Sequence, residues 1–350
     1  MSKRVLVTGG AGYVGSHACK ALSAAGYEPV VLDNLSQGHH WAVKWGPLVV
    51  GDIADDRLLR RTLKRFDVGA VMHFAAHAYV GESVTAPRKY FANNVAGTLG
   101  LLDAMLDCGV GRLVFSSTCA TYGLPRRLPI AEDHPREPVS PYGASKLMVE
   151  TILGSYGHAY GLAHVSLRYF NAAGADEAGE IGEAHDPETH LIPLAIAAAQ
   201  GRIDRLTVFG TDYDTPDGTA IRDYIHVADL ADAHVKALDG LFDGMASGAF
   251  NLGTGSGHSI RVVVREVEAV SGRTVPTEDC DRRPGDPPAL VASAGRAASA
   301  LGWRPRRSDL RTIVQTAWRW HEGGDATAER SEARRVGNAA ALPTRAASDG

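Results

Sequence analysis

Eight residues near the start constrain this chain more than any others. Thr8-Gly9-Gly10-Ala11-Gly12-Tyr13-Val14-Gly15 follows the apolar run Val5–Val7 directly and runs straight into an apolar-periodic segment over 14–25. A strand that turns this tightly into a helix needs glycine where backbone passes close to backbone or to a ligand. Gly10, Gly12 and Gly15 fit GxGxxG, and Gly9, Gly12 and Gly15 fit GxxGxxG. Either pattern leaves free N–H groups and a partial positive charge at the helix start, which suits a phosphate. Alone the pattern says little. At a first strand–helix junction it predicts a dinucleotide pyrophosphate site.

The first 170 residues as a whole repeat the theme. Short apolar runs at Val5–Val7, Pro29–Leu32, Leu48–Val50, Ala70–His73, Leu113–Phe115 and Val165–Leu167 alternate with helical segments near 14–25, 56–65, 88–107 and 142–160. Such alternation predicts an α/β fold: a Rossmann-type, doubly wound parallel sheet covered on both faces, with right-handed crossovers. Residues 1–173 form the expected dinucleotide domain, which also receives part of 223–250. Residues 174–322 form a smaller α/β lobe. The stretch after Arg168 holds polar loops at 174–190 and 210–220, helices near 191–200, 227–242 and 259–271, strands at Leu206–Phe209 and Ala249–Leu252, and a last helix ending near Glu322. Residues 323–350 carry almost no large apolar side chains and are expected to be disordered. The chain shows no internal repeat.

The 36 basic and 40 acidic residues leave a net charge of −4, which gives no electrostatic reason to expect nucleic acid or a membrane surface as partner. Cys19, Cys108, Cys119 and Cys280 form no CxxC pair and no zinc spacing, so reduced thiols in a cytoplasmic protein are expected. No apolar run approaches the ~18 residues that span a bilayer. His73 and His77 flank a strand end, and His185 and His190 flank Asp186 and Glu188 in a polar loop. Without a cysteine set or an HExxH pattern, no metal site is expected. His226 and His234 are assigned to packing.

Asp33 follows the second strand, 18 residues after Gly15. A carboxylate there accepts hydrogen bonds from both ribose hydroxyls of NAD and repels a 2′-phosphate. Asn34, Leu35 and Ser36 follow with no arginine, so NAD is expected over NADP. Asp52-Ile53 either borders the adenine or caps a helix. Tyr142 and Lys146 stand four apart in a helical segment and share a face. A phenol is a poor base at neutral pH. Two cations beside it, the lysine and an oxidised nicotinamide, favour the phenolate and make a general base possible. Ser116-Ser117-Thr118 ends the fifth strand at the edge where open α/β sheets bind ligands, and Thr118 is the expected proton relay.

Together, TGGAGYVG, Tyr142-Gly143-Ala144-Ser145-Lys146, Leu167-Arg168-Tyr169-Phe170-Asn171 and Arg222-Asp223-Tyr224-Ile225-His226-Val227 resemble the extended short-chain dehydrogenase/reductase family. Phe74-Ala75-Ala76, Val80-Gly81-Glu82-Ser83 and Asn93-Asn94-Val95 point within it to the UDP-glucose (UDP-galactose) 4-epimerases. The resemblance runs in order from residue 3 to about 322. It implies Tyr142 as proton acceptor with Lys146 and Thr118 beside it. It also implies an NAD site lined by Gly9, Gly12, Tyr13, Val14, Gly15, Asp33, Asn34, Asp52, Ile53, Phe74, Ala75, Ala76, Asn94 and Phe170. The UDP-sugar would be held by Asn171, Leu191, Phe209, Arg222, Arg283 and Asp286, with Leu290 setting sugar size, and the protein would be a homodimer. Arg222 and Arg283 also suit pyrophosphate on chemical grounds, because a guanidinium fork matches phosphate oxygens.

Two positions depart from the better-known bacterial epimerases. Ala78 stands where they carry lysine, which removes one cation beside the cofactor. Leu290 is intermediate between the tyrosine that narrows the pocket and the smaller residues that admit N-acetyl sugars. UDP-xylose/UDP-arabinose and UDP-N-acetylhexosamine 4-epimerases therefore stay open as alternatives. A 4,6-dehydratase is disfavoured: its Asp-Glu pair would follow Thr118, where this chain has Cys119-Ala120.

Overall fold

The computed structural model describes residues 2–283 and 285–323. Most of the expected tail, 324–350, lies outside the described residues. Seven strands, Arg4–Thr8 (β1), Glu28–Asp33 (β2), Leu48–Val50 (β3), Ala70–His73 (β4), Arg112–Thr118 (β5), Ala163–Tyr169 (β6) and Gly248–Leu252 (β7), form one parallel sheet in the order β7-β6-β5-β4-β1-β2-β3. The order reverses between β1 and β4, and the crevice beyond the carboxyl ends there is the ligand position of such sheets.

Alternate residues of each strand feed two cores. Val5, Val7, Met72, Val114 and Leu167 pack under the helices Tyr13–Ala24 and Val227–Phe242. Leu6, Val71, Leu113 and Phe115 pack under Asp56–Arg65, Thr98–Asp107 and Pro141–Tyr160. Burial on both faces is why these strands read as continuous apolar runs.

The single helix expected over 88–107 is corrected to three pieces: Pro87–Tyr90, a π-helical stretch Phe91–Gly97, and Thr98–Asp107. The wider turn lets Asn94 point into the interior, where it is buried.

The remaining residues gather round a third core in which Ile196, Val263, Val267, Ile313 and Val314 join the helices Leu191–Ala199, Ile260–Ser271 and Leu310–Glu322. Six short strands, at 171–173, 221–222, 224–226, 258–259, 277–280 and 289–290, were not foreseen from the sequence. Most are two or three residues long, too short to show a period. The four-residue Thr277–Cys280 is exposed throughout and has no apolar alternation. Among the described residues, no helix is long and apolar enough to cross a membrane.

Candidate active site

The glycine turn is built by exclusion. Gly9 adopts φ +73°, and a Cβ there would lie 2.6 Å from the Ala75 amide nitrogen. At Gly15 a Cβ would stand 2.2 Å from the Gly9 carbonyl oxygen. The two positions thus hold turn, helix and the β4 loop together. Gly12 is the N-cap of Tyr13–Ala24 and carries no side chain to cover the first amides, so the helix start stays available to an anion.

Asp33 ends β2, is 7% exposed, and accepts hydrogen bonds from the amides of Ala11 (3.0 Å) and Leu35 (2.8 Å). Burial pushes its carboxyl up, and these bonds oppose the shift. A carboxylate offers about four acceptor positions, so two remain for ribose hydroxyls. The turn, the bare helix start and this carboxylate fit a dinucleotide.

Asn34 donates to Asp52 at 2.7 Å. The N-cap alternative for Asp52 falls to Asp55, which accepts from the Leu58 amide. Ile53 is buried against Gly97, where a Cβ would come within 2.8 Å of its Cδ1. Tyr13 opens the helix and donates to the Gly174 carbonyl at 2.6 Å, with Val14 next in line. Asn94 spends its amide on the wall of the site: it accepts from the His77 amide (2.9 Å) and donates to the His77 carbonyl (3.0 Å) and to Ser145 Oγ (3.1 Å). It thereby ties the segment after Phe74-Ala75-Ala76 to the helix bearing Tyr142. The Phe74 ring lies 4.7 Å from that of His234, and Phe170 is buried with Tyr122, Ile130 and Ala292.

Ser140 caps the helix Pro141–Tyr160 by accepting from the Gly143 amide, and Pro141 sits in its first turn, where a missing N–H costs nothing. This start aims Tyr142 and Lys146 at the end of β5. The Thr118 side chain stands beside the Tyr142 phenol and favours its ionised form. Lys146 Nζ donates to the Ser116 carbonyl at 2.8 Å and lies 6.0 Å from the Tyr142 ring centre.

The expected electrostatics need a correction. In the protein alone, burial holds the Tyr142 phenol well above its ordinary range, against the pull of Thr118. Burial also brings Lys146 down to about 7, with Glu150 opposing. Desolvation outweighs the partnership of the two groups, so the phenolate requires the further positive charge that an oxidised dinucleotide brings.

Sequence reasoning missed the support beneath this pair. Glu150 lies four residues beyond Lys146 and is buried. It accepts from Ser117 Oγ (2.6 Å) and pairs with buried Arg168, whose guanidinium also donates to the Tyr122 hydroxyl (2.8 Å). Its spacing from Tyr142 and Lys146 was the available signal. Ser116 Oγ meets the Tyr169 hydroxyl at 2.5 Å.

The predicted sugar-nucleotide residues divide. Arg222 pairs with Asp286, and the Arg283 guanidinium sits 4.6 Å from the Phe209 ring centre and 4.0 Å from Asp286, so these four form one cluster. Leu290 lies opposite Arg222 in the parallel register of the strands 289–290 and 221–222. Leu191 starts its helix and packs beside Val208, Tyr213 and Ala220. Asn171 is in register with Tyr224, and its amide donates to the carbonyl of Asp223, the residue after Arg222, at 3.0 Å. The charge of Arg222 is felt at Cys119, the neighbour of Thr118, although burial dominates there and pushes the thiol up to about 12. The loop 182–190 also brings Glu183, His185, Glu188 and His190 together, where the sequence suggested only a polar loop.

Residues 5–253 match the NAD dependent epimerase/dehydratase family. The UDP-glucose 4-epimerase of Rhizobium meliloti (strain 1021) is 53% identical over 320 residues, covering 91% of this chain and 97% of that protein. The crystal structure of UDP-glucose 4-epimerase from Brucella ovis in complex with NAD superposes with a TM-score of 0.89 at 56% identity, covering 90% of this chain and 97% of that one. A UDP-glucose-4-epimerase structure from Stenotrophomonas maltophila, with bound NAD and formylated UDP-arabinopyranose, gives 0.89 at 40% identity over 93% and 99%. On the family match and these identities, the chain belongs to the NAD dependent epimerase/dehydratase family.

Proposed function

We propose that the protein is an NAD-dependent UDP-glucose/UDP-galactose 4-epimerase. The observation that carries this is the meeting of Tyr142, Lys146 and Thr118 at the carboxyl end of β5, in the same sheet as the glycine turn. Tyr142 stands beside Thr118 and Lys146, the glycine turn lies across the strand order from them, and Arg222, which pairs with Asp286, is near enough for its charge to act on Cys119. When bound, the dinucleotide supplies a hydride acceptor at the sugar's C4 that can give hydride back to either face.

The chain's own residues do the rest. Tyr142, through Thr118 or directly, takes the 4-hydroxyl proton and later returns it. Lys146 orients the pair from its anchor on the Ser116 carbonyl. Arg222 and Arg283 grip the nucleotide while the 4-keto sugar turns over between them and the phenol. Leu290 borders that turning space, and its intermediate size keeps pentose and N-acetylhexose sugars as second substrates. The arabinose-containing ligand named for the Stenotrophomonas relative favours the pentose. Elimination chemistry lacks its acid and base, because Cys119-Ala120 follows Thr118.

The test is incubation with UDP-galactose and no added NAD(P)H. UDP-glucose should form without lasting absorbance at the NADH band, and Tyr142→Phe should lose about 10²–10⁴ in kcat while keeping its fold. Net NADH accumulation, or an active Tyr142→Phe, would overturn the assignment.

The protein is further proposed to be a cytoplasmic homodimer. Val80 and Val84 on the helix Val80–Thr85, and Met148 on its packing neighbour Pro141–Tyr160, leave apolar side chains exposed for a partner copy. A monomer mass by light scattering would remove the dimer.

A further inference from the structure

The loop over 182–190 has a feature the proposed reaction leaves unused. One donor atom each of Glu183, His185, Glu188 and His190 lies within 4.8 Å of all the others. Nδ1 of His190 is 2.9 Å from Glu183 and 2.8 Å from Glu188, and Nδ1 of His185 is 3.1 Å from Glu183 and 3.8 Å from Glu188. Bonds of 2.0–2.2 Å in a tetrahedron set neighbouring donors about 3.3–3.6 Å apart. The four separations straddle that spacing, from 2.8 to 3.8 Å, with the two imidazoles meeting different oxygens of Glu188.

Two further observations favour a bound cation over a simple ion-pair knot. Glu183 is only 4% exposed, where a carboxylate needs firm compensation. The buried Nδ1 of His185 makes no hydrogen bond of proper geometry, although a Glu183 oxygen lies 3.1 Å away. His190 Nδ1 is hydrogen-bonded to Glu188 at 2.8 Å, so His185 is the imidazole of the cluster whose buried nitrogen has no hydrogen-bond partner. Nor does the cluster fold the loop unaided. Trp320 Nε1 donates to the Glu183 carbonyl (2.8 Å), His39 Nε2 lies 2.7 Å from the Ala184 carbonyl, and the Tyr79 hydroxyl donates to the Pro187 carbonyl (3.2 Å). The donors are thus placed by contacts that lie outside the cluster, as a ligand set requires.

We propose that Glu183, His185, Glu188 and His190 bind one Zn²⁺ ion. Two imidazoles and two carboxylates in a small tetrahedron suit zinc, while calcium and magnesium want six or more oxygens. Four protein donors leave no open position, so the ion is structural. It staples the loop against the first helix: the His185 ring meets those of Tyr13 at 6.1 Å and Tyr79 at 6.2 Å, and Tyr13 begins the helix at the glycine turn.

The test uses the full chain, stripped with EDTA and titrated with Zn²⁺ in a calorimeter and with Co²⁺ by visible absorption. One equivalent of Zn²⁺ should bind and raise Tm, and Co²⁺ should give the intense bands of a four-coordinate ion. The double variant His185→Ala/His190→Ala should weaken zinc by at least the ~100-fold that loss of a supporting partner can cause. Should that variant fail to fold, Glu188→Gln, at a partly exposed donor, should weaken zinc as well. Absence of stoichiometric binding, a weak six-coordinate Co²⁺ spectrum, or folded variants that bind as the parent does would overturn the site. These readouts do not depend on turnover of any sugar nucleotide.

Discussion

The glycine turn and the arginine cluster are both suited to a diphosphate, yet they are built in opposite ways. The turn is made of backbone. Its pieces lie within seven residues, Gly9 to Gly15, and its specificity is the absence of side chains, since a Cβ at either end would strike a main-chain atom. The cluster is made of side chains. Phe209, Arg222, Arg283 and Asp286 come from segments up to 77 residues apart, and their ion pairs leave Arg283 59% exposed. A backbone site is rigid and fails as a unit, while a side-chain site can lose one member and lose only that member's contribution. This division matches what the proposed reaction asks, a fixed dinucleotide and a sugar free to turn.

The contrast is broken most directly at the turn. Gly15→Val places its Cβ on the Gly9 carbonyl, so the turn must open. It should cost about 3 kcal/mol of stability and abolish co-purified dinucleotide, read from thermal unfolding and the 260/280 nm ratio. A variant with unchanged melting and unchanged dinucleotide would refute the backbone half of the comparison.

Arg222→Ala tests the other half. Loss of a charged hydrogen bond worth about 1.5–3 kcal/mol should raise KM for the UDP-sugar by about 10–150-fold, with kcat nearly kept. A fall in kcat at constant KM would place Arg222 in the chemistry instead.

The smallest effect concerns Lys146. Folding without dinucleotide takes its pKa from 10.5 to about 7, whereas the unfolded chain keeps that proton to about pH 10.4. Between these values the unfolded chain binds the extra proton, so this group makes stability rise with pH. Below about pH 7 the charge is buried in full, and stability is lowest on its account. Lys146→Met should flatten that rise by at most about 1.4 kcal/mol per pH unit, measured by denaturant melts from pH 6 to 9 on dinucleotide-free protein. Parallel slopes would show that Lys146 does not titrate there.

What the sequence disclosed follows the same division. β1, β2 and β4 are buried on both faces, so they announced themselves as apolar runs. The turn announced itself because only glycine satisfies it, and Tyr142 with Lys146 because helical spacing puts both on one face. Asp52 was ambiguous because two acidic residues, Asp52 and Asp55, precede the same helix and only geometry shows which one caps it. Asn94 carried no sign of its bracing role, since the π-helical turn that directs it inward leaves no period in the sequence. Glu183 and His190 were visible as residues, but their meeting depends on tryptophan, histidine and tyrosine contacts from three distant segments. The depressed Lys146 was missed because pairing can be read from spacing, while burial cannot.

The edge strand β7 has a consequence for biosynthesis. Gly248–Leu252 hydrogen-bonds to residues 165–169, so the amino-terminal sheet waits for some eighty further residues to leave the ribosome before its last margin is covered. Until then β6 offers an unpaired rim to any passing strand. Closure over so long a loop is slow, and a chain cut between 173 and 248 would hold the whole glycine turn yet keep a sticky border. Exposure of that border during synthesis is thus an aggregation hazard separate from the strength of the finished core.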